Sequence, residues 1–274
     1  MIKTIAVLLT CYNRREKTLG CLRSLYRCNL PETYVLDIFL VDDGSSDGTS
    51  EAVAKEFPLV HVILGNGQLY WNRGMHLAWD TAVKSGNFDF YLWLNDDVEL
   101  LPNAIVDLLE VSHANNTIVV GSMKSRSENK ATYGGRDLKG NLITPNGVPQ
   151  VCNAFNGNLV LIPDSIYQRI GNLDPIFQHC IGDFDYALRA KKNGIKSFIS
   201  TEYSGYCEEH SSLPQWCLPE VPFRKRIKAL YSPLGNSHPK YYFIFAFRHY
   251  GIYIAIKHFF SIHLRLVYPR LWQK

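Results

Sequence analysis

The chain has 274 residues, 46% hydrophobic and 20% charged, with a formal net charge of +4. That length buries a substantial core in one large domain with at most a small appendage, and the near-average composition excludes disorder and a multi-span membrane protein. The charge excess is too small to argue for a nucleic-acid partner, and seven cysteines with neither a C-x-x-C pair nor regular spacing exclude a disulfide framework and a structural zinc site.

In chain order, "MIKTIAVLLTCYNRREK" reads as a first strand and not as a signal peptide, which implies reducing cytosol. Short apolar runs at 5–9, 35–41, 60–64, 90–94 and 118–120 predict buried strands. Between them, 16–26, 47–57, 73–84 and 102–112 carry helical spacing, with Leu19, Leu22 and Leu25 on one face. This alternation implies an α/β domain with a mainly parallel sheet. In such a sheet ligands bind at the carboxyl ends of the strands. From 125 to 153 the pattern loosens ("TYGGRDLKGNLITPNG") into a hairpin or loop region. A strand at 159–162, a helix at 183–193 and a strand at 196–199 follow.

The tail, "KYYFIFAFRHYGIYIAIKHFFSIHLRLVYPRLWQK", interleaves aromatic and basic residues. No stretch reaches the roughly 20 charge-free residues of a spanning helix. Its pattern suits an amphipathic helix in a membrane interface, a helix packed on the protein's own core, or a dimer contact.

The residues after each strand carry the chemistry. After the first comes "TCYNR", without a G-x-G-x-x-G; no G-x-x-x-x-G-K-[ST] occurs anywhere, which argues against NAD enzymes and P-loop NTPases. After the second comes "VDDGSSDGT". Val41 stands where a D-x-D-G-T phosphotransferase needs its nucleophile, so the carboxylates either accept a hydrogen bond from a ligand N–H or merely shape a turn and cap the next helix through Asp47. After the third comes "GNGQLYWNRGMHLAW", whose aromatic faces suit stacking on bases or sugars, although Trp71 and Trp79 suit a core equally. After the fourth comes "LWLNDDVEL", whose carboxylates suit Mg²⁺ or Mn²⁺ beside phosphates.

In this order, "VLLTCYNR", "IFLVDDGSSDGT", "QLYWNRGMHLAW", "LWLNDDVEL" and "GDFDYALRAKKNG" resemble glycosyltransferase family 2, the inverting enzymes with the GT-A fold. The likeness runs from about residue 5 to 210, and the "LYWNRGM" and "GDFDY" segments look closest to bacterial rhamnosyl- and galactofuranosyltransferases of surface polysaccharide synthesis, O-antigen included. The resemblance implies a GT-A domain over 1–228, with 229–274 as a basic, aromatic helical region that contacts the membrane. It implies that Thr10, Tyr12, Arg14 and Asp43 hold the nucleoside, with Trp71, Asn72, Arg73 and Asp96 also on the donor. Asp97 and His210 would hold a divalent metal, Mg²⁺ or Mn²⁺, Asn95 replacing the first carboxylate of the family's D-x-D. Asp183 matches the family's catalytic base. Asp185 and Trp216 fall on the acceptor side, Trp216 in a lid with the preceding "SSLPQ".

The implied activity is a metal-dependent inverting transfer from a dTDP- or UDP-sugar to a glycan or lipid-linked acceptor, at the cytoplasmic face of the inner membrane, by a monomer or a homodimer. Two other readings stay open. A sugar nucleotidyltransferase would need the Gly- and Arg-rich loop that "TCYNRREK" lacks, and a non-catalytic glycan-binding protein of the same fold would not need Asp97, Asp183 and His210 together.

Overall fold

A computed structural model of the chain describes residues 2–209, 213–235 and 237–272. Its elements run β1 (Lys3–Cys11), α1 (Arg15–Tyr26), β2 (Tyr34–Asp42), α2 (Thr49–Glu56), β3 (His61–Leu64), α3 (Tyr70–Ser85), β4 (Phe90–Leu94), β5 (Glu99–Leu100), α4 (Ala104–Asn115) and β6 (Ile118–Lys124). The short strands β7 (Ala131–Tyr133), β8 (Gly135–Arg136), β9 (Val151–Cys152) and β10 (Ala154–Phe155) occupy the loose region, and β11 (Leu159–Pro163), α5 (Asp164–Ile170), α6 (Gly182–Lys192) and β12 (Ser197–Tyr206) follow. Three helices close the chain: α7 (Phe223–Leu230), α8 (Pro239–Tyr250) and α9 (Ile252–Val267).

The main sheet has the order β3-β2-β1-β4-β11-β6-β12-β5. Its first four strands are parallel, as the alternation predicts. Beyond β4 the sheet is mixed, because β11 enters antiparallel to both β4 and β6 while β12 runs parallel to β6. β1 shows why both faces are covered: Ile5, Val7 and Leu9 point into a core with α1, α2 and α4, whereas Ala6 and Leu8 point into one with α3, α5 and α6. Successive side chains of a strand face opposite ways, so a continuous apolar run needs helices on both sides.

Two boundaries differ from the sequence expectation for identifiable reasons. The third helix starts at Tyr70 and not at residue 73, since the Asp43 carboxylate at the end of β2 accepts the backbone N–H groups of Leu69 and Tyr70 and so satisfies donors that a helix start leaves open. The last strand of the sheet extends to Tyr206 through a register shift between Ile199 and Tyr203.

The C-terminal helices pack back on the domain. Trp216, Cys217, Leu230, Ile262 and Leu266 form one buried cluster, and Phe245 of α8 joins Phe177 and Ile181 beside α6. The 228/229 boundary therefore falls inside α7, whose Leu230 is fully buried in the first of these clusters. Among the described residues no helix is long and apolar enough to cross a membrane.

Candidate active site

The carboxyl ends of β1, β2 and β4 meet on one side of the sheet. Asn13, at φ 50°, accepts the Ser46 N–H and donates its own N–H to Ser45, lacing the two loops after β1 and β2 together. Asp42 is buried and accepts the Ser45 N–H, so it shapes the turn. Asp43 is buried too, and its two oxygens accept the N–H groups of Gly67, Leu69 and Tyr70 at 2.9 Å each. The expected nucleoside contact is thus first an anchor: three of roughly four acceptor positions of a carboxylate are taken by the loop after β3 and the start of α3.

The acidic segment after β4 divides its work among three residues. Asn95 accepts the Trp71 indole Nε1–H at 2.7 Å on its side-chain oxygen. Arg14 Nη1 lies 3.2 Å from Asp96 Oδ1 and 2.9 Å from Asp97 Oδ2, clamping both carboxylates with one guanidinium. Asp96 is buried and its Oδ2 has no partner. Burial pushes its carboxyl up to about 7, Arg14 opposing the shift and Asp97 adding to it. The turn closes with Val98 donating to the Asn95 carbonyl, and its fully buried side chain returns the chain to the core.

Asp183, the second residue of α6, is half-buried. One carboxylate oxygen accepts the Gly157 N–H at 3.0 Å and the other the Phe184 N–H at 2.9 Å. Burial pushes its carboxyl up to about 6 in spite of those two donors and the nearby Arg136. Asp183 and Trp71 both close on Gly157: a Cβ there would lie 2.5 Å from the indole ring and 3.4 Å from the Asp183 Cβ. Only glycine lets the indole and the carboxylate approach the same backbone segment.

A second close approach holds this geometry. A Cβ on Gly182 would lie 1.7 Å from the Asn72 side-chain oxygen, while the Asn72 amide donates to the carbonyls of Asp174 and Phe177 at 2.8 Å each. The starts of α3 and α6 are thereby locked together, and the residue just before α6, Ile181, sits at φ 80°. A β-branched residue there is strained, as is Tyr70 at φ 58°, and both flank the candidate site.

The structure brings Arg14, Trp71, Asp96, Asp97 and Asp183 together. Tyr12 is exposed beside them, whereas Thr10 is buried against Gly74 of α3. Several expected ligands are placed elsewhere. Asn72 is a fully buried bracket, and Arg73 donates to the Pro175 carbonyl at 2.9 Å on the outside of the same loop. Asp185 is a correction: it is 0% exposed, and Arg189, Arg248 and His249 hold it at 2.8–2.9 Å, so no acceptor hydroxyl reaches it. Although burial pushes the Asp185 carboxyl up, the His249 hydrogen bond and the two guanidinium groups outweigh it and hold the pKa below its ordinary value. Trp216 is a correction as well, being 1% exposed in the C-terminal cluster with its ring edge-on to Trp272. His210 lies outside the described residues.

Sequence reasoning passes over three residues of this site. His179 accepts the Trp71 backbone N–H, stands edge-on to Tyr70, and is pushed down to about 4 by burial with Arg14 nearby, so it is neutral at pH 7. Arg136 sits near Asp183 with a buried, unpartnered Nε, and Cys207 lies 3.6 Å from Asp97 Oδ1. The nearest signal was the spacing of His179 and Gly182 just before Asp183.

The donor set suits a hard divalent cation. Mg²⁺ and Mn²⁺ take oxygen ligands, commonly one or two carboxylates plus substrate phosphates. Asp97 is open on one side, and the buried Asp96 Oδ2 is an acceptor still lacking a partner. No cluster of three metal-ligating side chains exists among the described residues, and His210, the other expected ligand, lies outside them.

The sequence profile described as Glycosyl transferase family 2 matches residues 6–171. The poly-beta-1,6-N-acetyl-D-glucosamine synthase of Staphylococcus epidermidis is 24% identical over 180 residues, covering 63% of this chain and 42% of that protein. The hyaluronan synthase of Streptococcus pyogenes is 27% identical over 183 residues, covering 60% of this chain and 40% of that protein. The chain thus spans well under half the length of these curated relatives. In fold, the chain is similar to a mannosyltransferase from Pyrobaculum calidifontis solved with GDP-Man and Mn²⁺, with a TM-score of 0.54 at 16% identity, over 98% of this chain and 72% of that one. The fold is of the GT-A type, with a helical C-terminal region.

Proposed function

The chain belongs to glycosyl transferase family 2, and from that premise we propose that it transfers a sugar from a UDP- or dTDP-sugar to a glycan or lipid-linked acceptor in surface polysaccharide synthesis, with inversion at the anomeric carbon. The observation that carries the reading is the pair Asp183 and Trp71, packed together against Gly157, with the indole tied through Asn95 to the Asp96–Asp97 segment.

A sugar hydroxyl is too weakly acidic to ionise at neutral pH, so its proton must leave as its oxygen attacks. Asp183 takes that proton on a carboxylate oxygen while the acceptor oxygen bonds to the anomeric carbon and the bond from that carbon to the diphosphate oxygen breaks. In-line attack from the opposite side gives inversion. A pKa of about 6 suits a general base, because the carboxylate is ionised at neutral pH yet binds a proton more readily than an ordinary aspartate. Trp71 supplies an apolar face for the sugar ring, and its indole keeps water from the Gly157 side. Arg14, which holds Asp96 and Asp97, would supply a counter-charge to the departing diphosphate. Asp97, with Asp96 beside it, would hold a divalent ion, which when bound neutralises charge developing on the leaving group.

The sugar itself is the finer part of the proposal. The "LYWNRGM" and "GDFDY" segments favour a rhamnosyl or galactofuranosyl donor, whereas the curated relatives carry the names of amino-sugar polymer synthases. A panel of UDP-, dTDP- and GDP-sugars, incubated with candidate acceptors with and without Mn²⁺, tests the reading by release of nucleoside diphosphate together with a glycosidic product. Formation of a nucleotide-sugar from a nucleoside triphosphate and a sugar phosphate would replace it by a nucleotidyltransferase.

A further inference from the structure

The positive charge of the chain is segregated. Residues 221–274 contain ten Lys and Arg and no Asp or Glu, which leaves 19 basic against 25 acidic residues in the first 220, a net of −6. The mild overall charge conceals an acidic body and a strongly basic tail.

The same segment exposes an ordered apolar surface. The helices α8 and α9 are joined by Gly251 at φ 87° and run back along each other, Phe243 meeting Phe259 and Tyr242 meeting His258. Burial places Ala255, Ile262 and Leu266 of α9 on the protein side. Tyr253, Ile256, Phe260, Leu264 and Val267 follow at steps of three and four, so they share one face of the helix, and all are exposed, Tyr253 at 77% and Phe260 at 67%. The helix is thus apolar on two opposed faces, one of which the fold leaves uncovered. Lys257 is exposed beside the stripe, and α7, packed against α9 in the same unit, exposes Arg224, Lys225 and Lys228. None of these four cations has an ion-pair partner among the described residues.

We propose that this face of the C-terminal hairpin docks on the surface of an anionic lipid bilayer, with the α9 stripe in the interfacial layer and the basic residues on phosphate headgroups. Aromatic and aliphatic residues on one face with lysines and arginines at its flanks are what an interfacial helix requires. Each Lys or Arg near an anionic surface adds to the attraction. A second copy of the chain suits the face less well, because a two-fold contact would set the same wholly basic surface against itself. The inference does not depend on the transferase reading. Its consequence for the site is geometric: Arg248 and His249, on the protein side of the same hairpin, grip Asp185 of α6, two residues from Asp183.

Co-sedimentation of the full chain with vesicles tests this, using phosphatidylcholine alone and phosphatidylcholine with a third of the lipid as phosphatidylglycerol. Partitioning on the anionic vesicles is expected to exceed that on neutral ones at least tenfold and to weaken with salt. It should fall about tenfold in F260E/L264E, and by a similar factor in K225E/K228E, with thermal melts unchanged because all four side chains are exposed. Equal partitioning on the two vesicle types, or undiminished partitioning of both variants, would overturn the proposal. So would a wild-type dimer that F260E/L264E converts to a monomer, since the stripe would then belong to a second copy.

Discussion

Trp71 donates its indole N–H to the side-chain oxygen of Asn95 at 2.7 Å, and this one bond joins the loop after β3 to the acidic segment after β4. It explains why an amide stands where the family has its first carboxylate. Asn95 has its side-chain oxygen committed to the indole. It is the anchor of the aromatic ring beside Asp183, and its neutrality spares the already raised Asp96 a third nearby negative charge.

Removing the anchor should therefore act through the indole. Asn95→Ala is expected to lower kcat/KM about tenfold, the scale of one unpaired buried polar group. Trp71→Phe removes the same bond from the other side, so the double variant should lose much less than the product of the two single losses. Strict multiplicativity in steady-state kinetics would show that the bond carries no function.

The two raised carboxyls set a pH dependence with opposite signs for activity and stability. Asp183 works as a base only when ionised, so kcat/KM should fall about tenfold per pH unit below about 6. For stability, both folded-state values lie above the ordinary 3.8. The folded state then binds protons that the unfolded chain has released, so the contribution of these groups is full below about pH 4. It is lost as pH rises through about 6 for Asp183 and about 7 for Asp96 in the donor-free protein. Melting temperatures across pH 4–8 should show that loss, and Asp96→Asn should flatten its upper part.

Arg14 occupies the carboxylates that a divalent ion would use, so the two cations compete. Arg14→Gln is expected to tighten Mn²⁺ binding in the absence of donor, measured by calorimetry. It should also raise the donor KM about tenfold, because the diphosphate loses a counter-charge. Unchanged values of both would place Arg14 outside the diphosphate path.

The buried Asp185 cluster predicts a ranking of stabilities. Asp185→Ala leaves Arg189 and His249 without their anion and Arg248 with Asp174 alone, and should cost about 3–5 kcal/mol in denaturant unfolding. Arg248→Met should cost less, since Arg189 and His249 still satisfy Asp185. If α8 positions α6 through these contacts, Arg248→Met also lowers kcat at temperatures where the variant is folded, with donor affinity unchanged.

Much of the fold was legible because continuous apolar strands and amphipathic helices leave different periods in a sequence, and because ligand chemistry collects where parallel strands end. Asp96 and Asp97 were singled out by their place at a strand end, and Asp183 by the family resemblance. Asn72, Asp185 and Trp216 were misplaced for a common reason: a polar or aromatic residue at an element end looks the same whether it faces a ligand or satisfies buried groups of the fold. Asp185 is matched by Arg248 and His249 from 63 and 64 residues away, and no local pattern announces that pairing. Gly157 and Gly182 were equally silent, since a close approach is visible only once the approaching Trp71 and Asn72 are in place. The reversal of β11 also lay beyond reach, because an apolar run does not record its direction.

The central claim is that Asp183 is the base of a sugar transfer. Its most direct test is a comparison of wild type and Asp183→Asn on a turned-over nucleotide-sugar and acceptor, with donor affinity measured on both proteins. The account predicts that the variant binds donor as tightly as wild type while kcat falls by about 10²–10⁴-fold. A variant that transfers sugar at the wild-type rate would contradict it.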